Sequence, residues 1–510
     1  MDAITQPPVI VLHPEDGVVI ARQVLPPGTP VAPNVLATAR IPAGHKVAVV
    51  SHAKGEPVRR YGQIIGFATD TISPGQWVHT HNLGMGDFSR DYAFGQDAKP
   101  TAPVATPASF QGIIRADGRV ATRNYIGIIT SVNCSAHVAE LIALAFRRNP
   151  LTGEDPLAAW PNVDGVVALT HKTGCGMTAG EPLTLLRRTL GGFARHANFS
   201  HVIAIGLGCE VNQIGGLLDE QRLSGRLRNM DIQEMGGTRK TVAAGIAFVK
   251  EVLEEANRVA RVPVPASELC VALQCGGSDG YSGITANPAL GAASDLVVRH
   301  GGTVILSESP ETYGAEHLLT RRAVSPAVGQ KLVDVMHWWE AYCEREGAEM
   351  DANPSPGNKL GGLTTILEKS LGAMAKAGST NLVEVVRYAE AVTAKGFVFM
   401  DTPGYDPVGA TGQVAGGANL LCFTTGRGSV FGCKPTPSIK LATNTPMYQR
   451  MEDDMDINCG TVVTGEETVQ QVGERIFAKM LETASGGRTK SESFDFGAAE
   501  FAPWVLGATM

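Results

Sequence analysis

From about residue 111 the chain alternates short apolar runs of strand character with amphipathic helical ones: "YIGIITSV" then "SAHVAELIALAFRRN", "VDGVVALT" then "EPLTLLRRTLGGFARH", "HVIAIGLG" then a polar helical segment. No other feature constrains the fold as strongly. Parallel strands cannot be joined by tight turns and need crossover connections, which helices supply, so the pattern predicts mainly parallel sheets covered by helices. A further unit of this kind starts near "PASELCVALQCGG" and carries a Pro/Gly/Asn-rich loop, "DANPSPGNKLGGL". The opening residues differ: "VIVL", "GVVIA", "KVAVV", "GQIIGFA" and "QWVHTH", separated by Pro, Gly and Asp turns, predict a small β-rich domain. The aperiodic stretch "AKPTAPVATPASF" after it reads as a linker. The expected fold class is therefore α/β: a small β-rich N-terminal domain followed by two α/β units with mainly parallel sheets. The expected boundaries are 1–97, a linker at 98–110, a second domain at 111–262 and a C-terminal domain at 263–510, with "RVPVPA" at 261–266 marking the last junction.

A chain of 510 residues is long enough to bury several cores. A formal net charge of -7, with 18% charged residues and no Lys/Arg block, gives no electrostatic footprint for nucleic acid. Apolar stretches are interrupted well before the roughly 18 residues a membrane span needs. The start "MDAITQPPVIVLHPEDG" lacks the basic-then-apolar order of a secretory leader. Cytoplasmic location is the resulting expectation, and there the nine cysteines stay reduced and serve as core residues, ligands or catalytic groups.

Four times a strand-like run stops at or near a cysteine: Cys134, Cys175, Cys209 and Cys275. In open parallel sheets, ligands bind outside the carboxyl ends of the strands, so these four thiols are expected to converge on one site and act as metal ligands. The bland alternative is four small buried hydrophobes. Neither CxxC nor HExxH occurs, so any metal site must be assembled in three dimensions. His171, four residues before Cys175, and Glu210, directly after Cys209, are candidate acid/base groups. In the first domain His79 and His81, two apart in "HTHN", would share one face of a strand. The segment "QCGGSDGYSGITANPALG" is dense in residues that aim hydroxyls and backbone N–H groups at a polar ligand. "NPSPGNKLGG" and "CFTTGRGSVFG" add Lys359 and Arg427, the latter suited to bidentate capture of a carboxylate. A P-loop and a well-placed GxGxxG are missing, which weakens a nucleotide-binding reading.

The blocks "DGRVATRNYIGI", "HKTGCG", "IGLGCE", "QCGGSDGYSGITANPALG", "NPSPGNKLGGLTTILEKSLG", "FTTGRG" and "DINCGTVVTGEE", in this order, resemble the altronate/galactarate dehydratase family. "GHKVAV", "YGQIIGFA" and "GQWVHTHN" similarly resemble its N-terminal SAF domain. The resemblance implies a hydro-lyase that removes water from an aldonate or aldarate, such as altronate or galactarate, to give a 2-keto-3-deoxy acid. It implies iron as well: either ferrous ion held by His and carboxylate groups, with Mn2+ as a substitute, or an iron–sulfur cluster held by three of the four strand-end cysteines. In that reading Glu210 or His171 handles the proton, and Lys46, Lys359 and Arg427 bind carboxylate. Ser278, Asp279, Thr285 and Asn287 hold hydroxyls, and His79 and His81 select the substrate. Branch signals are split, since "VHTHN" and "ETYGAEHLL" lean to altronate-type members and "NVDGVVALTHKTGCG" to galactarate-type ones. The expected partner is a small sugar acid, with a homodimer as the default assembly. The competing readings are a carbohydrate- or hydroxy-acid-binding protein without turnover, and a lyase acting on another hydroxy acid.

Overall fold

A computed structural model describes residues 7–87, 90–149 and 151–509; the first six residues of the stretch searched for a leader lie outside them. In the first unit, strands Val9–Ile10, Val18–Ala21, Lys46–Ala48 and Trp77–Val78 form one antiparallel sheet. Pro57–Arg60, Gln63–Ala68 and Leu83–Gly84 form another. The two-residue period of a strand sorts their side chains. Val19, Ala21 and Val47 pack with Leu25 and Ile41 in a small local core, whereas Val18, Ala48, Val58 and Ile65 join the main core of the C-terminal unit. The first unit is thus fused to the last by apolar burial.

The stretch expected as a linker lies along the C-terminal unit, where Lys99 N–H donates to Asn381 Oδ1 at 3.0 Å and Val104 N–H to the Arg299 carbonyl at 3.0 Å. Its end is already strand: Ser109–Ile114 pairs antiparallel with Arg261–Pro265 on one side and Val120–Ala121 on the other. The "RVPVPA" junction is therefore the edge strand of a three-stranded sheet, a position that tolerates its prolines because an edge can leave N–H groups unpaired.

Both later units are built on wholly parallel sheets, as the alternation predicts. In the second unit the order is Gly165–Leu169, Tyr125–Thr130, Phe199–Gly206, Arg228–Asp231. In the C-terminal unit it is Leu382–Val386, Gly396–Met400, Thr303–Leu306, Cys270–Cys275, Leu420–Thr425, Ser438–Ala442, Ile457–Asn458. Tyr125–Thr130 is buried along its whole length, as a strand covered by helices on both faces must be. Helix Glu181–Ala194 presses Leu185, Leu186, Leu190 and Phe193 into the same core as Ala410, Val414 and Ala415 of helix Asp406–Ala415. Each such buried Leu or Phe contributes roughly 1.5–3 kcal/mol, which joins the two α/β units into one body. Among the described residues no helix is long and apolar enough to cross a membrane.

The order of strands places two crevices. In each sheet the chain enters centrally and then builds to both sides, so the connections diverge at one point: between Tyr125–Thr130 and Phe199–Gly206, and between Cys270–Cys275 and Leu420–Thr425. Ligand sites in open parallel sheets form outside the carboxyl ends of the strands at such switch points.

Candidate active site

Three of the four strand-end cysteines meet at the first switch point. Cys134, Cys175 and Cys209 are all exposed, and the Cys134 thiol is pushed up by its partial burial and by the neighbouring charges of Cys175, Cys209 and Glu210. Backbone bonds stitch their loops together: Asn133 N–H to the Thr173 carbonyl at 3.0 Å, Val211 N–H to that of Cys175 at 3.3 Å, and Asn212 N–H to that of Gly174 at 3.0 Å. Gly174 makes this possible. Its φ is +100°, and a Cβ there would lie 2.2 Å from the Ser131 carbonyl oxygen.

The two acid/base candidates sit in the same knot, fully engaged. His171 Nε2 lies 2.8 Å from the Thr130 carbonyl, and Thr173 N–H donates to Nδ1 at 3.3 Å. A backbone N–H can only donate, so Nδ1 is the acceptor and Nε2 carries the proton. Burial keeps this ring neutral down to about 4, and neither nitrogen is left to exchange a proton with a substrate. Glu210 is buried and accepts from Ser131 Oγ at 2.6 Å, from Leu207 N–H at 3.2 Å and from Gly208 N–H at 2.7 Å. Burial alone would raise its carboxyl, but these donors hold it below the usual range.

Cys275 corrects the expectation of a four-thiol site. It ends a strand of the other sheet and is buried, with Lys376 Nζ at 2.8 Å from its sulfur. Lys376 also donates to Glu308 at 2.9 Å, and Glu308 and Glu311 oxygens lie 3.6 and 3.5 Å from the sulfur. Among the described residues, Cys275, Glu308 and Glu311 are the one set of three or more His, Cys, Asp or Glu whose ligand atoms all lie within 4.8 Å of one another. The cation of that set is the Lys376 ammonium itself. Among the described residues, Cys134, Cys175 and Cys209 do not form such a set.

Around Cys275 lies a second switch-point centre that sequence reasoning missed. Lys369 donates to Glu311 at 2.8 Å and to Asn353 at 2.7 Å. Asp406, on the first turn of its helix, faces Gly276, where a Cβ would come 2.3 Å from its Oδ2. Burial and the nearby Glu311 push Asp406 up to about 7, and burial pushes Glu308 up to about 8 against the pull of Lys376. Glu308 has φ 68°, a left-handed conformation unusual for a side chain with a Cβ, and its buried Oε1 has no hydrogen-bond partner among the described residues. Arg427 N–H donates to the Gly277 carbonyl at 2.9 Å, while the residue is exposed and its guanidinium has no ion-pair partner among the described residues. Lys359 is half-exposed on the neighbouring loop.

The polar residues expected to hold hydroxyls shape this crevice from behind. Asp279 is buried and accepts from Tyr281 N–H, Ser282, Thr443 and Asn444 at 3.0 to 3.1 Å. Thr285 donates to the Thr443 carbonyl at 2.7 Å; Asn287 donates to that of Gly372 at 2.9 Å and accepts from Thr424 at 2.7 Å. Ser278 is buried, and its carbonyl accepts from Asn358 at 2.8 Å.

Comparison with known proteins follows the same three-part division. Residues 7–86 match the altronate/galactarate dehydratase SAF domain, 112–257 the second domain of D-galactarate dehydratase/altronate hydrolase, and 266–509 the D-galactarate/altronate dehydratase C-terminal domain. Galactarate dehydratase (L-threo-forming) of Escherichia coli (strain K12) is 39% identical over 457 residues, 88% of this chain and 86% of that protein. The chain belongs to the galactarate/altronate dehydratase family. Altronate dehydratase of Bacillus subtilis (strain 168) is 33% identical over 506 residues, covering 98% and 99% of the two chains. The (2R)-sulfolactate sulfo-lyase subunit beta of Chromohalobacter salexigens is 31% identical over 388 residues, 76% of this chain and 95% of its own.

The SAF unit brings its own polar residues to the edge of the second centre. Lys46 binds a carboxylate, but the protein's own: Nζ donates to Glu368 at 2.7 and 2.9 Å and to the Gly362 carbonyl at 2.7 Å. Arg60 pairs with the same carboxylate, and all three side chains are buried. Burial would raise Glu368, yet the two cations hold it at about 2; Lys46 is pulled down to about 8 because its desolvation outweighs the attraction. The shared strand face expected for His79 and His81 is corrected, since the strand ends at Val78 and both lie in the turn beyond it. There His79 stacks on Trp77 at 5.1 Å, His81 tilts against the same ring at 5.5 Å, and His45 accepts from Trp77 Nε1 at 3.2 Å.

Proposed function

We propose that this chain is a sugar-acid dehydratase that removes water from an aldarate or aldonate such as galactarate or altronate, giving a 2-keto-3-deoxy acid. The observation that carries the reading is the meeting of Cys134, Cys175 and Cys209 at one switch point, in a chain that aligns along most of its length with named dehydratases. Three soft thiols, open to solvent and spread around one mouth, fit iron–sulfur ligation. These three cysteines would hold the cluster, and iron bound there would supply a Lewis acid.

The chain's own groups do the rest. Glu210, held ionised by Ser131 and Gly208, keeps fixed negative charge beside the thiols and orders the Leu207–Cys209 backbone. His171 ties the Cys175 loop to the end of strand Tyr125–Thr130, so both act as positioning residues in this reading. Arg427 and Lys359 offer cationic groups for a substrate carboxylate, whose charge grows as the neighbouring carbon loses its proton.

The test is anaerobic purification, a visible absorption spectrum, and assay of 2-keto acid from a panel of aldarates and aldonates. A brown, iron-loaded protein that forms product supports the reading. A loaded protein that binds panel members without turnover overturns it in favour of a binding protein. The match to a sulfo-lyase subunit favours a second reading, a lyase acting on another 2-hydroxy acid, which predicts product from sulfolactate and none from the panel.

A further inference from the structure

We infer that the crevice between strands Cys270–Cys275 and Leu420–Thr425 is a proton-transfer site for the sugar acid, with Asp406 as the base and Lys369 as the acid. This rests on the dehydratase reading. The crevice is the switch point of the larger sheet. Its floor is the Gly276–Gly277 turn, where the absence of side chains leaves Asp406 against the backbone on one side and Arg427 on the other. Among the described residues Asp406 takes no hydrogen bond from a side chain, and its own backbone N–H is the donor to its carboxylate. Lys369 has three donors and spends two, on Glu311 and Asn353, leaving one for a ligand. Behind them, Glu308 Oε1 is buried with no hydrogen-bond partner among the described residues, while its Oε2 pairs with Lys376.

The groups facing Asp406 are Glu311 and Glu308 from the segment after strand Thr303–Leu306, and Lys369 and Lys376 from the helix and turn beyond residue 366. Together they leave a carboxylate that exchanges protons near neutral pH, the condition a general base needs. In the step, the C–H bond next to the substrate carboxylate breaks and its proton goes to Asp406. The electron pair forms the C=C bond of an enol as the β C–O bond breaks. The departing hydroxide takes a proton from the Lys369 ammonium and leaves as water, the Asp406 proton returns to Lys369, and the enol becomes the 2-keto acid. Arg427 holds the carboxylate while negative charge builds on it.

The test compares Asp406→Asn and Asp406→Glu with wild type, all iron-loaded, using galactarate and altronate as probes. Asp406→Asn is expected to lower kcat by about 10²–10⁴-fold. Its iron content and its calorimetric Kd for the sugar acid should stay within about threefold of wild type, and the acidic limb of the kcat/KM pH profile should disappear. Asp406→Glu is expected to keep that limb with a lower kcat. If Asp406→Asn does not fold, an Asp406→Glu variant with wild-type kcat overturns the inference. So does an Asp406→Asn variant that keeps more than about a third of kcat, or one that loses sugar-acid binding in step with activity. A loaded wild type that makes no 2-keto acid overturns the dehydratase reading and this inference with it.

Discussion

Replacing Glu368 and Lys46 one at a time separates charge balance from hydrogen-bond count in the buried triad. The cluster holds two cations, Lys46 and Arg60, and one carboxylate, all out of water. Glu368→Gln leaves two buried positive charges against a neutral amide, a break that costs about 3–5 kcal/mol. Lys46→Met leaves Arg60 and Glu368 as a balanced pair and keeps most of the side-chain packing. It also removes an ammonium pulled from 10.5 to about 8, a displacement worth about 3 kcal/mol against holding it charged at neutral pH. Against that relief stand the lost bonds to Glu368 and Gly362, of which an orphaned carbonyl costs about 1–3 kcal/mol. Lys46→Met is therefore expected to cost less than Glu368→Gln, which should lose at least about 3 kcal/mol. Urea unfolding at pH 7, followed by circular dichroism and tryptophan fluorescence, measures both. Equal destabilisation by the two variants, or a Glu368→Gln protein within about 1 kcal/mol of wild type, refutes the charge-balance reasoning.

Other expectations follow from the same geometry. Cys134→Ser, Cys175→Ser and Cys209→Ser should each lose iron and activity, whereas Cys275→Ser should keep its iron; metal analysis decides between this and a four-thiol site. Gly174→Ala places a Cβ 2.2 Å from the Ser131 carbonyl at a φ of +100°, so it should lower iron content although it touches no thiol. His171 and His196 are buried and neutral down to about 4. Because the unfolded chain binds protons from 6.5 downward, stability should fall as pH drops from 6.5 to 4, by up to about 3 kcal/mol for each ring. His196→Asn should flatten that slope in thermal melts, and a slope unchanged in the variant would contradict the assignment. Gly276→Ala, which would drive a methyl into Asp406 and the Phe423 ring, should cut kcat far more than iron content.

The parallel sheets were legible because apolar runs and helical periodicity survive in any tertiary setting. Three strand-end cysteines converged because they close strands of the same sheet. "LCVALQC" reads the same way but belongs to the other sheet, and nothing local to Cys275 announces Lys376, about a hundred positions on. Glu308, Glu311, Lys369, Lys376 and Asp406 were missed because charged residues on helices and turns look like solvated surface. One signal was present. Helix Ile366–Met374, "ILEKSLGAM", has no polar face for its Glu and Lys, and every one of its residues is buried. His79 and His81 misled because a strand's end, at Val78, leaves no mark in a run such as "QWVHTH".

That short helix also has a consequence for how the molecule is wired. Glu368 and Lys369 are consecutive, about 100° apart around the axis, so one backbone segment is gripped by the β-rich unit on one flank and presents an ammonium to the crevice on the other. The N-terminal unit therefore acts as a splint. Cutting it away would leave the helix without its clamp and let the Lys369 head group wander, so that a truncation far from the chemistry reads out as a slackened catalytic edge.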